Sequence, residues 1–476
     1  MAQAEVVVVG GGLAGSEAAW QLAHRGIRVR LLEMKPQRRT PAQVSDWLGE
    51  LVCSNSLRSN NVMNAVGLLK EEMRRLGSLV IQAAQSSRVP AGDALAVDRQ
   101  AFATFITEHI EQHPNIERRA EVVTELPQQT PTIVATGPLT ADELASSIAR
   151  ITGQERLYFY DALAPIVSGE SLNRDIIYAA SRYGKGDGDD YLNIPLDREA
   201  YATFVDALLN AESMPSHSFE QAKYFEGCMP MEVVAARGRD ALRYGCMKPV
   251  GLPDPRTGRE PYAVVQLRKE DAAGQAYNLV GFQTKLKYPE QKRILRALPG
   301  LEDAEFLRLG AIHRNTYLDS PNLLDGRMRL RAQTNVRFAG QITGVEGYVE
   351  SAAHGLVNAL LLSSELLKQH ASPMPPPPAE TALGALWRHV TGEVRLAGRP
   401  HEPANVNWSM FPPLPGVKKW ARKATRVKHA GAALEQWAAA GQLALAPTTI
   451  DWDALEQDSR PPKRRARRGA KQPPAP

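Results

Sequence analysis

Short apolar runs closed by glycines dominate the start of the chain. Val6–Val9 is four valines between Glu5 and Gly10, the pattern of a strand buried on both faces. Leu13 to Arg25 then follows helical spacing, and Arg28–Leu32 is a second apolar strand, so the chain opens β-α-β. Between Asp98 and His113 the spacing of Phe102, Phe105, Ile106 and Ile110 predicts an amphipathic helix. TIVA at 132–135 predicts a strand that runs into Thr136-Gly137. Mixed patterning follows from about 150 to 310, with a polar loop, YGKGDGDDY, at 183–191. Strand–turn–helix patterning returns near Arg337–Phe338, and an apolar helix is predicted from Ser351 to Lys368. SPMPPPP (372–378) reads as a stiff linker, followed by a small helical module. There are no internal repeats.

The first turn carries a chemical signature. Gly10-Gly11-Gly12-Leu13-Ala14-Gly15 fits GxGxxG between strand and helix, and Glu33 ends the second strand. Gly10 permits the tight turn, Gly12 lets backbone approach a pyrophosphate, and Gly15 lets helix and strand pack closely. The helix N-terminus offers free N–H groups to phosphate, and Glu33 can accept from ribose hydroxyls. A second glycine-rich segment, Phe338-Ala339-Gly340-Gln341-Ile342-Thr343-Gly344-Val345-Glu346-Gly347-Tyr348, also precedes a helix. Two such segments suit a long cofactor, with one helix terminus at the pyrophosphate and the other near a flavin, so FAD is favoured over NAD. Gly137 sits at the end of the returning strand. The glycines at 184, 186 and 188 follow no apolar strand and read as loop.

The expected fold is therefore α/β: a glutathione-reductase-like FAD-binding fold, discontinuous and Rossmann-type, with an inserted mixed α/β domain and a small helical C-terminal module. Its parts are the first FAD-binding section (1–150), an inserted substrate or RNA domain (151–309), the second FAD-binding section (310–371), a Pro-rich linker (372–380), a basic helical module (381–456) and a disordered basic tail (457–476).

Composition narrows the function class. The 476 residues carry a net charge of +5, but seven cations and no acid lie in 460–476, leaving the body at −2. That asymmetry points to a polyanionic partner. Within 417–428 (VKKWARKATRVK), Lys418, Lys419, Arg422, Lys423, Arg426 and Lys428 are unbalanced by any acid. As a helix, Lys419, Arg422, Lys423 and Arg426 form one cationic stripe with Trp420 interleaved, suited to an RNA backbone. Three widely spaced cysteines make neither a disulfide framework nor a CxxC zinc cluster, so no metal is expected. Free thiols, and an N-terminus that enters a strand without a leader pattern, suggest the cytoplasm. No apolar run reaches about 18 residues, so no membrane span is expected.

These segments together resemble a known family, the bacterial folate- and FAD-dependent tRNA (uracil-5-)-methyltransferases. The likeness runs from Val6 to about Lys428. It rests on GGGLAGSEAAWQLA (10–23), LVCSNSLRS (51–59), YFYDALAPIV (158–167), YLNIPLDREAY (191–201), YFEGCMPMEVVAARG (224–238), MKPVGL (247–252), PYAVVQLRKED (261–271), NLVGFQTKL (278–286), HRNTY (313–317) and FAGQITGVEGYVESAAHGL (338–356). The resemblance implies methylation of the T-loop uridine of tRNA. The carbon would come from 5,10-methylenetetrahydrofolate and the hydride from FAD reduced by NAD(P)H.

Such a reaction needs sulfur. Uracil C5 is a poor nucleophile until a thiolate adds to C6 and makes the ring an enolate. The carbon can then pass from folate directly or by way of the flavin. The resemblance gives Cys53 and Cys228 the catalytic positions. Cys228 precedes Met229-Pro230 and is expected at a helix N-terminus, where thiolates are stabilised. Cys53 precedes Ser54-Asn55-Ser56, expected to cap another helix, with Arg58 near. Cys228 is assigned to uracil and Cys53 to the flavin side. Cys246 stands where the family usually has proline and is expected to be incidental. Ile194 stands where some relatives carry cysteine, so that thiol is not essential here. His313-Arg314-Asn315-Thr316 could contact folate or flavin or be a polar loop, and Asp161 and Glu346 are weaker proton-carrier candidates. The cofactor set is Gly10, Gly11, Gly12, Leu13, Ala14, Gly15, Glu33, Gly137, Gly340, Gln341, Gly344, Gly347 and Tyr348. Two rivals stand beside this reading: a flavoprotein that adds carboxymethylaminomethyl groups to wobble uridines, and a non-catalytic FAD-containing RNA-binding protein. A disulfide reductase is disfavoured, because no CxxC pair accompanies the flavin segments. The number of copies that assemble is left open.

Overall fold

The computed structural model describes residues 5–40, 42–153, 157–214, 229–367, 372–394, 401–451 and 455, with backbone alone at 157–161 and 312–314. The basic tail expected to be disordered, 457–476, lies outside the described residues.

The valine run and its successors build one six-stranded sheet. Its order is Arg329–Leu330, Gln333–Phe338, Thr132–Val134, Glu5–Val9, Arg28–Glu33 and Ile116–Ala120. Glu5–Val9 runs parallel to Arg28–Glu33 and to Thr132–Val134, and Gln333–Phe338 runs parallel to Thr132–Val134. Strands from three separate stretches of chain thus complete one sheet, parallel but for the edge strand Arg329–Leu330, which pairs antiparallel with Gln333–Phe338; this is the discontinuous Rossmann-type arrangement. Val6 to Val9 are all buried, as a strand covered on both faces requires.

One such cover is the first helix, Leu13–Ala23, which lies against the long helix Tyr348–Leu367. Glycine permits this approach: a Cβ on Gly355 would stand 2.1 Å from the Ala14 carbonyl oxygen. The helix expected over 98–113 is Arg99–Gln112, with the Asp98 carboxylate accepting from the Ala101 N–H.

A second, antiparallel sheet of six strands is built from Ile166–Ser168, Tyr178–Ala179, Tyr191–Leu196, Ala263–Lys269, Ala276–Leu279 and Phe306–Arg308. It has its own core, which includes Val167, Ile194, Phe204, Val265, Phe282 and Leu295. Leu157–Ala162 pairs with Ile312–Tyr317 as a two-stranded ribbon where the chain leaves and re-enters the first unit. The HRNT cluster is therefore strand backbone and not a loop. Residues 183–190 are turns, as expected, and Tyr191 already begins the strand Tyr191–Leu196.

The proline run is not a free spacer. Met374 is 3% exposed, and Trp437 Nε1 donates to the Pro375 carbonyl at 2.9 Å. The helices Ala382–Thr391 and Arg422–Ala440 bury Leu383, Leu386, Trp387, Val427, Leu434 and Trp437 in the same core as the first sheet. Each has one apolar stripe at i, i+3, i+4 spacing that needs cover, and each large side chain so buried contributes about 1.5–3 kcal/mol. Glu72 fastens the junction by accepting from the Ala382 and Leu383 N–H groups at 2.8 and 2.9 Å. No helix among the described residues is long and apolar enough to cross a membrane.

Candidate active site

The glycines of the first turn divide their work. Gly10 has φ +100°, and a Cβ there would lie 2.7 Å from the Ala135 carbonyl oxygen. A Cβ on Gly15 would lie 1.8 Å from the Gly10 oxygen, so both serve close packing. Around Gly12 no atom stands within 4 Å of that position. Gly12 N-caps the first helix, whose first N–H groups have no intrahelical partner. The open space and the free donors coincide, which is what a pyrophosphate requires. Glu33 lies beneath: its Oε2 accepts from the Gly11 N–H at 2.6 Å and its Oε1 from the Lys35 N–H at 3.1 Å. It holds the turn while still lining the cleft, and each oxygen retains a lone pair for a ribose hydroxyl.

The cleft joins the two glycine segments. Gly10, Gly12, Leu13, Ala14, Glu33 and Gly137 line one stretch of it, and Gln341, Tyr348 and Val52 line another. Counting space open to solvent, it spans about 1040 Å³. A cradle open at Gly12, an acid under the ribose end and a second helix terminus at Tyr348 fit FAD. Gly340, Gly344 and Gly347 stand behind the surface and shape the turn, with φ of +80°, +86° and +104°.

Two buried histidines, His354 and His401, and the half-buried His389 hold that turn. The Gly340 N–H donates to His354 Nδ1 at 3.1 Å, His389 Nε2 contacts the Gly344 oxygen at 3.1 Å, and His401 Nε2 contacts the Thr343 oxygen at 3.0 Å. Burial, then the neighbouring His389, pushes His354 down to about 3. Burial, then His401, pushes His389 down to about 4. Glu346, a proton-carrier candidate, accepts from Gln341 Nε2 at 2.7 Å.

Cys53 follows Val52 at the Tyr348 end, half-buried, and its backbone is gripped from two sides. The N–H groups of Cys53 and Ser54 both donate to the Tyr348 hydroxyl oxygen, at 2.7 and 3.1 Å. On the carbonyl side stand three buried or half-buried guanidinium groups. Arg99 donates to the Leu51 oxygen and, at 3.2 Å, to the Cys53 oxygen. Arg308 donates to the Val52 and Cys53 oxygens at 2.9 and 3.2 Å. Arg268 reaches Asn55 Oδ1 at 2.8 Å and Ser54 Oγ at 2.7 Å. Glu270 pairs with Arg99. Burial opposes the charge of Arg99, but Glu270 more than offsets it and holds the group above its ordinary value. Burial pushes Arg268 and Arg308 down. Burial, then proximity to Cys53, pushes the Tyr348 phenol up.

The expected cap at Ser54-Asn55-Ser56 is not there. Ser56–Ser59 is a strand, and the next helix begins at Ala65 after Asn64. Asn55 instead donates to the Val97 and Lys269 carbonyls at 2.9 and 2.8 Å, which ties a small three-stranded sheet (Ser56–Ser59, Ala94–Val97 and Arg88–Val89) to the antiparallel sheet. Arg58 pairs with Glu350 on the long helix. Lys70 donates to the Leu57 and Arg58 carbonyls at 2.8 and 3.0 Å, and burial, then Arg58, pushes it down to about 7.

Cys228 lies outside the described residues. The short helix after it, Met231–Ala236, has Pro230 at its N-cap rather than in the first turn. It is seated against the 278–286 segment, where Glu232 accepts from Thr284 Oγ1 at 3.0 Å and from the Lys285 N–H at 2.7 Å. Cys246 packs on Gly281, and burial pushes its thiol up to about 11. Ile194 is a fully buried core residue. The side chains of Asp161, His313 and Arg314 lie outside the description; Asn315 is buried.

The basic stripe is shorter than its sequence pattern. The helix begins at Arg422, so Lys418 and Lys419 lie on the turn before it. Gly416, at φ +77°, breaks the backbone there, and Arg422 Nε donates to the Val417 oxygen at 3.1 Å. Lys418, Lys419, Trp420, Arg422 and Lys423 are exposed, whereas Arg426 is half-buried and contacts the Pro412 oxygen at 3.5 Å. Arg99, Arg268, Arg308 and Lys70 had no signal in local spacing, since each acts on residues far away in the chain.

The profile of the family described as glucose inhibited division protein A matches residues 5–370. A methylenetetrahydrofolate--tRNA-(uracil-5-)-methyltransferase TrmFO of Anaeromyxobacter dehalogenans is 57% identical over 92% of this chain and 97% of its own. The protein of the same name from Geobacter sulfurreducens is 57% identical over 91% of this chain and 99% of its own. Among solved structures, Aquifex aeolicus GidA is 14% identical with a TM-score of 0.64, over 96% of this chain and 76% of that longer one, a likeness of fold.

Proposed function

Because this chain belongs to the methylenetetrahydrofolate--tRNA-(uracil-5-)-methyltransferase TrmFO family, we propose that it methylates C5 of the T-loop uridine of tRNA in the cytoplasm. Methylenetetrahydrofolate is the carbon donor. Bound FAD, reduced by NAD(P)H, supplies the hydride. The observation that carries the reading is Cys53, held beside the same cleft that both glycine segments line.

The chain's own groups divide the work. The N–H groups and helix terminus at Gly12–Ala14 hold the pyrophosphate, Glu33 the ribose, and Gln341 and Tyr348 the flavin end. Lys418, Lys419, Arg422 and Lys423 bind the RNA backbone, and the target base leaves its stack to reach the cleft. The Cys228 sulfur bonds to C6, and the C5–C6 π electrons move onto the C4 oxygen. C5 then bonds to the one-carbon unit, and as C5 loses its proton the C–N bond to the unit's amine carrier breaks, so the carrier amine departs and an exocyclic methylene is left on C5. Hydride addition to that CH2 re-forms C5=C6 and expels the sulfur. Cys53 serves the flavin side.

The test combines purified protein, unmodified tRNA, methylenetetrahydrofolate and NAD(P)H, followed by nucleoside analysis. 5-Methyluridine is expected only with every component present, and its absence from the complete mixture rejects the reading. Cys228→Ala is expected to form no stable adduct with T-arm RNA containing 5-fluorouridine. An adduct that persists moves the covalent role elsewhere.

A further inference from the structure

The segment that carries Cys53 is held by residues that lie far apart in the sequence. From the cofactor side, one phenol oxygen accepts the N–H groups of both Cys53 and Ser54, at 2.7 and 3.1 Å. From the other side, Arg99 and Arg308 take up the carbonyls of Leu51, Val52 and Cys53. Arg99 begins a helix of the first unit, whereas Arg268 and Arg308 come from the antiparallel sheet. Five residues on, the Arg58–Glu350 pair ties the same segment to the long helix that Tyr348 starts.

This geometry has a chemical consequence. A phenol oxygen that accepts two N–H groups has used its acceptor capacity, so its own proton must point elsewhere. Tyr348 also lines the cofactor cleft. One side chain therefore touches the flavin end and fixes the backbone of the adjacent thiol. With carbonyls turned to the guanidinium groups and amides turned to the phenol, residues 52–54 have little rotational freedom, and the Cys53 side chain is aimed by both.

We propose that Tyr348 is a positioning residue for Cys53: its hydroxyl, opposed by Arg308 and Arg99, fixes the direction in which the thiol faces the flavin end of the cleft. The proposal rests on the reading of Cys53 as a working thiol. Removing the hydroxyl frees two N–H groups at once. The segment then loosens from the cleft side, and the half-buried thiol becomes more accessible and less well aimed.

The test is site-resolved alkylation of FAD-loaded, full-length protein with iodoacetamide across a pH series, quantified on the Cys53 and Cys246 peptides. Cys246 is the internal control, since it packs on Gly281 away from Tyr348. Tyr348→Phe is expected to raise the Cys53 rate roughly tenfold, the scale of two freed N–H···O contacts, with the Cys246 rate unchanged. The flavin absorbance band is expected to shift as its neighbour loses a hydroxyl. Should Tyr348→Phe fail to hold FAD, Arg308→Gln loosens the same segment from the carbonyl side without touching the cleft, and is expected to raise Cys53 alkylation selectively. A Cys53 rate within twofold of the parent or below it, or a rise shared by Cys246, overturns the proposal. Neither readout depends on methyl transfer, so failure here is distinguishable from failure of the enzymatic reading.

Discussion

The histidines behind the second glycine turn make its stability depend on acid in a way that can be calculated. His354 Nδ1 accepts the Gly340 N–H and therefore carries no proton, and burial keeps that ring neutral to about pH 3. His389 stays neutral to about pH 4, with burial the largest cause. In the unfolded chain both titrate near 6.5. Below that pH the unfolded state binds protons that the folded state refuses, so stability falls with acid through the window from about 6.5 down to 4 and 3. At pH 5 an unfolded histidine is almost fully protonated and a folded one scarcely at all. Each then costs about 2 kcal/mol relative to pH 7.5, whatever its folded value below 5. The pair costs about 4 kcal/mol, a large share of the 5–15 kcal/mol typical of a domain. His354→Asn puts an amide oxygen near the Nδ1 position, so it can still accept from Gly340 but cannot titrate. Urea unfolding followed by tryptophan fluorescence should show the parent losing about 2 kcal/mol more than His354→Asn between pH 7.5 and 5, and His389→Gln should remove a similar share. Carboxylates that titrate in every variant cancel in the difference. Equal losses in parent and variants would refute the argument.

Gly12→Val should leave the urea midpoint of the flavin-free protein nearly unchanged, because no atom meets its Cβ, yet purify with at least about tenfold less flavin as its side chain enters the phosphate space. Gly15→Ala should instead cost folding, since its Cβ would strike the Gly10 oxygen; soluble yield and melting temperature separate the two cases. Lys419→Glu with Arg422→Glu should weaken T-arm RNA binding and reduce the slope of log affinity against log salt by roughly 1 per lost phosphate contact, measured by anisotropy titration. At pH 8, Cys246 should alkylate far more slowly than Cys53, because burial keeps it a thiol up to about pH 11, and Cys246→Ser should leave turnover intact.

What could be read from sequence was what local periodicity encodes. The valine strand, the GxGxxG turn, Glu33 and the helix after Gly347 fall where the pattern puts them, because strand burial and helix spacing are properties of neighbouring residues. Where the reading failed, a distant partner had overruled a local preference. Ser54-Asn55-Ser56 has the composition of a helix cap, but the Val97 and Lys269 carbonyls claim Asn55, and the backbone stays extended. Lys419 has stripe spacing, but Gly416 and the Arg422–Val417 contact delay the helix. The proline run looks like a spacer until Met374 is seen buried and the Pro375 carbonyl bonded to Trp437. The guanidinium groups around Cys53 left no trace in spacing, since 46 residues separate Arg99 from Cys53 and 255 separate Arg308 from it.

Those distant contacts explain why the thiol is placed on a loop between two sheets and not on either one. A cysteine carried by the Rossmann-type sheet would be fixed relative to flavin but indifferent to the antiparallel sheet. One carried by the antiparallel sheet would have the opposite defect. The 51–58 segment takes its amide and Arg58 contacts from the long helix and its Arg268 and Arg308 contacts from the antiparallel sheet. Its geometry is therefore correct only when both units are in place. Buried guanidinium groups are suited to this task, because each offers several rigid donors and remains charged after burial. Losing one leaves carbonyls without partners, a penalty of about 1–3 kcal/mol per group that falls on the loop and not on either core. The thiol's geometry thus depends on contacts that the two hydrophobic cores do not themselves supply.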